Sequence, residues 1–243
     1  MAISSAPELR IPYPIRFGTS EEFLRLRKEL VRLGFVQENM AGHFHLRQIS
    51  EAQFEVDAKG DEVPAYYRLL TALFLQGKSV DGQPLRQAVG EATFDLFQKL
   101  GLLERYGAGE RYAATVTMYE TNGLYIVSDR WCGIDGQVFE PPIDLVYPAI
   151  LGTTSGFLAM IPFSPCERFL ELCCGTGIAA FVAARNGAKH AYAFDIAARS
   201  AHFAEFNRQL NGLDNVTIGQ GDLYAAAAGL TFDRIAAHPL VRD

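Results

Sequence analysis

Glu171, Asp195, Asp222 and His238 stand at intervals along the last third of this chain, each at or next to the end of a short apolar run. Glu171 opens the stretch Glu171-Leu172-Cys173-Cys174-Gly175-Thr176-Gly177, which continues into the Ala-rich run from Ile178. An acid, a loop of small residues and then a helical pattern mark the point where an α/β sheet presents a helix N-terminus to a ligand. The glycines let backbone and ligand approach closely, and the acid can hold a polar or cationic group. Asp195, in Phe194-Asp195-Ile196, follows Glu171 by 24 residues. That is about the distance at which an α/β nucleotide site places an acid on the ribose hydroxyls. Gly221-Asp222-Leu223 and His238-Pro239 supply a third and a fourth polar strand end.

The elements that position these groups read as alternating strand and helix. Phe169–Leu172, Ala191–Ile196, Val216–Gly219 and Arg234–Ala237 are strand-like; Ile178–Asn186 and Arg199–Asn211 are helical; the Ala225–Ala228 run connects the last two strands. This succession predicts an α/β, Rossmann-like parallel sheet over residues 166–243, incomplete at about four strands. Residues 132–165, with Glu140-Pro141-Pro142 and Gly152-Thr153-Thr154-Ser155-Gly156, read as a connector.

Residues 1–131 predict a mostly helical domain. Pro7, Pro12 and Pro14 suggest an extended lead-in, and Ser20 is placed to cap a helix through Leu33, stopped by Gly34. Phe23, Leu26, Leu30 and Leu33 form its apolar face; Arg25, Lys28 and Arg32 form a strip read as solvated. Residues 36–62 are weakly patterned, with a short helix from Ser50. Helices follow over Pro64–Gly77, Pro84–Val89 and Glu91–Leu100. After Leu102–Glu104, the β-rich runs Ala114–Thr121 and Leu124–Ser128 flank Asn122-Gly123, a strong hairpin signal. Three helices followed by a hairpin form a winged-helix-like arrangement. Its third helix sets Glu91 and Asp95 against Lys99, which favours a protein-facing or structural role over phosphate contact.

Composition narrows the function classes. A net charge of −6 and a pI of about 5.4 give no general attraction to nucleic acid or anionic membrane. No basic half is hidden, since residues 1–131 carry 15 Lys/Arg against 17 Asp/Glu and residues 132–243 carry 7 against 11. Cys132, Cys166, Cys173 and Cys174 form no Cys-x-x-Cys pair and have no His at metal-ligand spacing, so no metal site is expected. They read as reduced thiols of a cytoplasmic protein. The N-terminus has no signal pattern, and no apolar run has the length of a membrane span.

Taken in order, these motifs resemble the class I S-adenosylmethionine-dependent methyltransferases. ELCCGTG at 171–177 is similar to their first motif, FDI at 194–196 to the second, GDL at 221–223 to the third, and FDRIAAHP at 232–239 to the opening of the fourth. The resemblance implies S-adenosyl-L-methionine as cofactor. Gly175 and Gly177 would pass beside it with Cys173 in the same loop, and Glu171 would lie near its methionine end. Asp195 would hold the ribose, followed by Ile196, and Asp222 would take the adenine amino group with Leu223 against the ring. A nicotinamide dinucleotide is the competing reading of the loop. Cys173 at the first Gly position and Ile178 after Gly177 depart from its Gly-x-Gly-x-x-Gly fingerprint.

More narrowly, the stretch resembles the branch of release-factor glutamine and ribosomal RNA guanine methyltransferases. There, the segment at His238 and Pro239 would clamp the planar nitrogen that accepts the methyl group. Leu240 and Val241 replace the second proline and the aromatic of that segment. Because the match stops at Pro239, the expectation is a truncated or frameshifted chain with impaired turnover. The alternatives are a non-catalytic cofactor-binding or protein-interaction module and a winged-helix DNA-binding regulator. The acceptor, protein or ribosomal RNA, is not separable by charge.

Overall fold

Thr19, rather than Ser20, starts the first helix, α1 (Ser20–Arg32). Its hydroxyl accepts the Glu22 N–H while the Glu22 carboxylate accepts the Thr19 N–H, a reciprocal pair that satisfies two otherwise orphaned donors. The structure, a computed structural model, describes residues 13–45, 51 and 63–239. Pro7, Pro12, the expected helix start at Ser50, and Leu240 and Val241 lie outside the described residues. Phe23, Leu26, Leu30 and Leu33 are buried as expected, and Arg25, Lys28 and Arg32 face solvent. A second helix, α2 (Gln37–Phe44), forms within the weakly patterned stretch by burying Met40 and Phe44.

Next come α3 (Ala65–Phe74), β1 (Val80–Asp81), α4 (Gly82–Val89), α5 (Glu91–Lys99), β2 (Leu103–Arg105) and β3 (Arg111–Ala114). The three strands pair antiparallel in the order β1-β3-β2. The expected strand Ala114–Thr121 is divided at Thr115, whose hydroxyl donates to the Gly101 carbonyl at 2.5 Å and draws the chain out of the ladder. Beyond it, β4 (Val116–Thr121) and β5 (Leu124–Asp129) form their own two-stranded sheet. Asn122 and Gly123 both have positive φ, 53° and 71°, as a tight two-residue hairpin turn requires. The hairpin that adjoins the three helices is therefore β2–β3, not the Asn-Gly hairpin that the sequence pointed to.

The Gly-rich part of the connector is helical, α6 (Gly152–Met160). After it, β6 (Cys166–Leu172), α7 (Ile178–Arg185), β7 (Ala188–Asp195), α8 (Ala198–Asn211), β8 (Val216–Gln220) and β9 (Arg234–Ala237) build a parallel sheet in the order β8-β7-β6-β9. Alternate residues serve its two faces. Phe169, Ala191 and Ala193 join the main core, whereas Leu170, Leu172 and Phe194 pack with Ala227 on the other side. Among the described residues, no helix is long and apolar enough to cross a membrane.

The outer edge of β5 meets α8. Asn211 accepts the Tyr125 N–H at 2.9 Å and donates to the Tyr125 carbonyl at 2.7 Å. One turn earlier, Asn207 treats Val127 in the same way, at 2.8 and 2.9 Å, and also donates to the Thr176 carbonyl at 3.2 Å. The match is geometric, since four helical residues rise about 6 Å and two strand residues about 6.6 Å. Two residues further along β5, the Asp129 N–H donates to the Val146 carbonyl of the connector at 3.1 Å, and the Val146 N–H donates to the Asp129 carboxylate at 2.8 Å. Phe23 of α1 meets Phe206 of α8 edge-on at 5.0 Å, so one core runs through both parts of the chain. Replacing Asn207 by Leu strands the Val127 N–H and carbonyl and the Thr176 carbonyl. Urea unfolding of Asn207→Leu should show a loss of about 3–5 kcal/mol; a loss below about 1 kcal/mol would show that the edge needs no side-chain partner.

Candidate cofactor site at the strand ends

The strand β6 lies between β7 and β9, so the chain leaves it towards one neighbour and returns on the other side. Crevices of open α/β sheets lie at such a crossing, outside the carboxyl ends of the strands. The loop after β6 turns sharply there: Cys173, Gly175 and Gly177 all have positive φ, 55°, 51° and 83°. For Cys173 this is a conformation that a Cβ makes costly, so the residue that broke the glycine pattern still adopts the backbone of a glycine. The Cys174 N–H donates to the Phe194 carbonyl at 3.2 Å, and the Gly177 N–H to the Cys174 carbonyl at 2.7 Å.

Asp195 ties this loop to the next strand. Its two carboxylate oxygens accept the Gly175 N–H and the Ala197 N–H, each at 2.9 Å. Both oxygens retain further acceptor capacity for ligand hydroxyls. A Cβ built on Gly175 would meet nothing within 4 Å, so the loop is open beside it. At Gly177 a Cβ would fall 2.6 Å from the Phe181 ring, which reserves that position for glycine through packing within α7.

Glu171 is 3% exposed, and its carboxylate accepts the Ala180 N–H at 2.8 Å. It thus satisfies a first-turn donor of α7, whose N-cap is a glycine with no side chain to do so. Burial pushes its pKa up to about 8; the α7 amides oppose that rise and the Asp195 charge adds to it. Burial and then the neighbouring carboxylates Asp195, Glu171 and Asp222 raise the Cys173 thiol, and burial raises Cys174. Both remain thiols rather than nucleophilic thiolates.

These groups border a cavity of about 590 Å³. Glu171, Cys173, Gly175, Asp195, Ile196, His238 and Pro239 all line it; Gly177, Asp222 and Leu223 do not. Asp222 and the exposed Leu223, itself at φ 46°, flank it beyond β8, close enough for the Asp222 charge to act on Cys173. His238 is exposed and stacks on Phe157 of α6, centroids 4.7 Å apart and planes 19° from parallel. The opposite wall comes from the stretch 132–165, expected as a connector, including Asp144, Tyr147, Thr153 and Phe157. Proline and glycine there suggested a linker. The signal of a fixed wall was the apolar set Val146, Ala149 and Ile150, all buried. For Asn207 and Asn211 it was two amides four residues apart among the buried residues of α8.

No Lys or Arg occurs among the described residues lining the cavity, whereas Asp144, Glu171 and Asp195 do. A pyrophosphate would meet the carboxylates of Asp144 and Asp195 and the buried carboxyl of Glu171, with no Lys or Arg among the described lining residues to neutralise it. A cationic sulfonium cofactor fits that donor set, and the open loop at Gly175 leaves it room.

Residues 164–240, about a third of the chain, match the model of a family described as "Methyltransferase domain". Over that segment the chain is similar to class I S-adenosylmethionine-dependent methyltransferase domains. Among solved structures, the chain is similar to the ribosomal protein L11 methylase from Lactobacillus delbrueckii subsp. bulgaricus, with 29% identity over 35% of this chain and 43% of that one, and a TM-score of 0.31. A putative sam-dependent methyltransferase from Streptococcus mutans is 20% identical over 63% of this chain and 42% of that one, TM-score 0.35. Trm5b from Pyrococcus abyssi is 21% identical over 55% and 38%, TM-score 0.35. The chain spans less than half the length of each of these three. No curated protein matches it.

Two outcomes follow for the loop. The folded state keeps the Glu171 proton up to about pH 8 while the unfolded chain releases it near 4.5, so stability should fall as pH rises between those values. Glu171→Gln keeps a neutral acceptor for Ala180, and its melting temperature should lose this decline; an unchanged slope would refute the buried protonated carboxyl. At position 173, Cys173→Val should cost about 1–2 kcal/mol in chemical denaturation while Cys173→Gly costs nothing comparable, because β-branching adds to the clash that a Cβ already makes at positive φ and glycine removes that clash.

Proposed function

We propose that this chain binds S-adenosylmethionine in the cavity at the ends of β6 and β7 and is a methyltransferase acting on a nitrogen of a protein glutamine or a nucleic-acid base. The observation that carries the reading is Asp195, which braces the open Gly175 loop from the second strand end inside a cavity lined without Lys or Arg. On this reading Asp195 holds the ribose hydroxyls, with Ile196 beside them. Asp222 and Leu223 take the adenine at the flank, and Glu171 supports the methionine end through α7. When bound, the cofactor supplies the electrophilic methyl of its sulfonium. The protein contributes position and exclusion of water rather than a covalent intermediate, consistent with the protonated Cys173 and Cys174. His238 and Pro239, at the cavity beside Phe157, are the residues for a planar acceptor.

For residues 1–131 we propose a winged-helix-like unit, built from α3, β1, α4, α5, β2 and β3, that faces protein or serves structure. Arg86 pairs with Glu91 and Glu110, Arg105 with Glu110, and Lys99 with Glu22. Cations already paired this way are poorly placed to neutralise phosphates, which argues against a DNA-binding regulator. Residues 132–165 join this unit to the methyltransferase segment 166–243 and wall its cavity. The four cysteines are free, which fits a reducing cytoplasm.

Calorimetric titration with S-adenosylmethionine tests the cofactor reading. Binding should be saturable, and Asp195→Ala should weaken it roughly 100-fold, the scale of losing two charge-assisted hydrogen bonds. Absence of binding by folded protein would sink the reading.

A further inference from the structure

The wall opposite the Gly loop is held in place from outside the methyltransferase segment. The buried carboxylate of Asp129 accepts the Val146 N–H at 2.8 Å, and the buried Tyr119 hydroxyl accepts the Ala149 N–H. Just before these anchors, the Leu145 N–H donates to the Pro142 carbonyl at 3.2 Å, closing a turn that sets Asp144 against the cavity. The position of Asp144 is therefore fixed by backbone contacts that do not involve its own side chain.

The three acidic side chains of the cavity are differently engaged. Glu171 accepts amides of α7, and Asp195 accepts Gly175 and Ala197. Asp144, half-buried, makes no side-chain hydrogen bond or ion pair among the described residues. The cation that feels its charge is Arg199, which already donates twice to Asp129, at 2.8 and 2.5 Å. That pair is neutral as a unit, which leaves Asp144 as the acid of the cavity with no direct hydrogen-bond or ion-pair partner among the described residues. A negative group in a partly enclosed, partly apolar site acts on a nearby cation more strongly than it would in water.

We propose that Asp144 is the counter-charge of the cofactor's sulfonium and makes the cavity prefer the cationic methyl donor to its neutral thioether product. The proposal rests on the cofactor reading above. It deepens that reading, because adenine, ribose and methionine are common to donor and product, and only the charge at sulfur and the methyl group distinguish them. A site that held both equally would be inhibited by its own product. Asp144 supplies a physical reason for the product to leave.

The test is calorimetric titration of wild-type protein and Asp144→Asn with S-adenosylmethionine and with S-adenosylhomocysteine. Asn keeps the size of the side chain, and no hydrogen bond among the described residues is lost. Wild type should bind the donor more tightly. Asp144→Asn should lower donor affinity about tenfold while changing product affinity less than about twofold, the result expected when one charge–charge contact is removed. An analogue with an amine in place of the sulfonium should follow the donor. Equal losses for donor and product, or no loss for either, would overturn the role of Asp144 while leaving the cofactor reading intact. Failure of folded wild type to bind either ligand would overturn both.

Discussion

A two-stranded sheet leaves backbone edges without partners, and burying such an edge is costly unless every N–H and carbonyl on it is met. Here the outer edge of β5 is buried against α8, and two asparagines one helical turn apart meet it residue by residue. Asp129 completes the same edge with Val146. Much else depends on this seam. It fixes α8 against the N-terminal part, and α8 begins just beyond the turn that Asp195 organises. Through Thr176 it also reaches the Gly loop itself.

The acids at the cavity show a similar economy of contact. Glu171 and Asp195 each engage backbone amides, so they shape the loop before any ligand is considered. This explains how Cys173 can hold a positive φ. The surrounding bonds, from the Cys174 N–H to the Phe194 carbonyl and from the Gly175 N–H to the Asp195 carboxylate, determine the path of the chain, and the side chain accommodates to it.

The parallel sheet was legible because its signals are local: apolar runs of strand length, each ending in an acid or a glycine, alternate with helical spacing. Glu171, Asp195 and His238 could be placed at strand ends on that basis, and they do line one cavity. The wall from Asp144 to Phe157 was not legible, since its conformation is set by Asp129 and Tyr119, distant in sequence and without periodic pattern. The hairpin next to the three helices was misplaced for a related reason. Asn122-Gly123 is the stronger turn signal, but pairing with β1 is decided by which strand returns beside it, and that is β3. Nothing local marks Asn207, because a polar residue in an amphipathic helix reads as its wet face.

The continuity of the core across α1, β5 and α8 has a consequence for how such a protein can be inherited. Independent modules are usually joined by surfaces that each partner can leave exposed. Here Phe23 and Phe206, and the amides of Tyr125 and Val127, would all be uncovered by separation. Exchange of the N-terminal half between relatives would therefore have to carry α8 with it, or re-create its asparagines. Separating the chain near residue 131 would therefore expose the core contacts and backbone partners that α8 supplies.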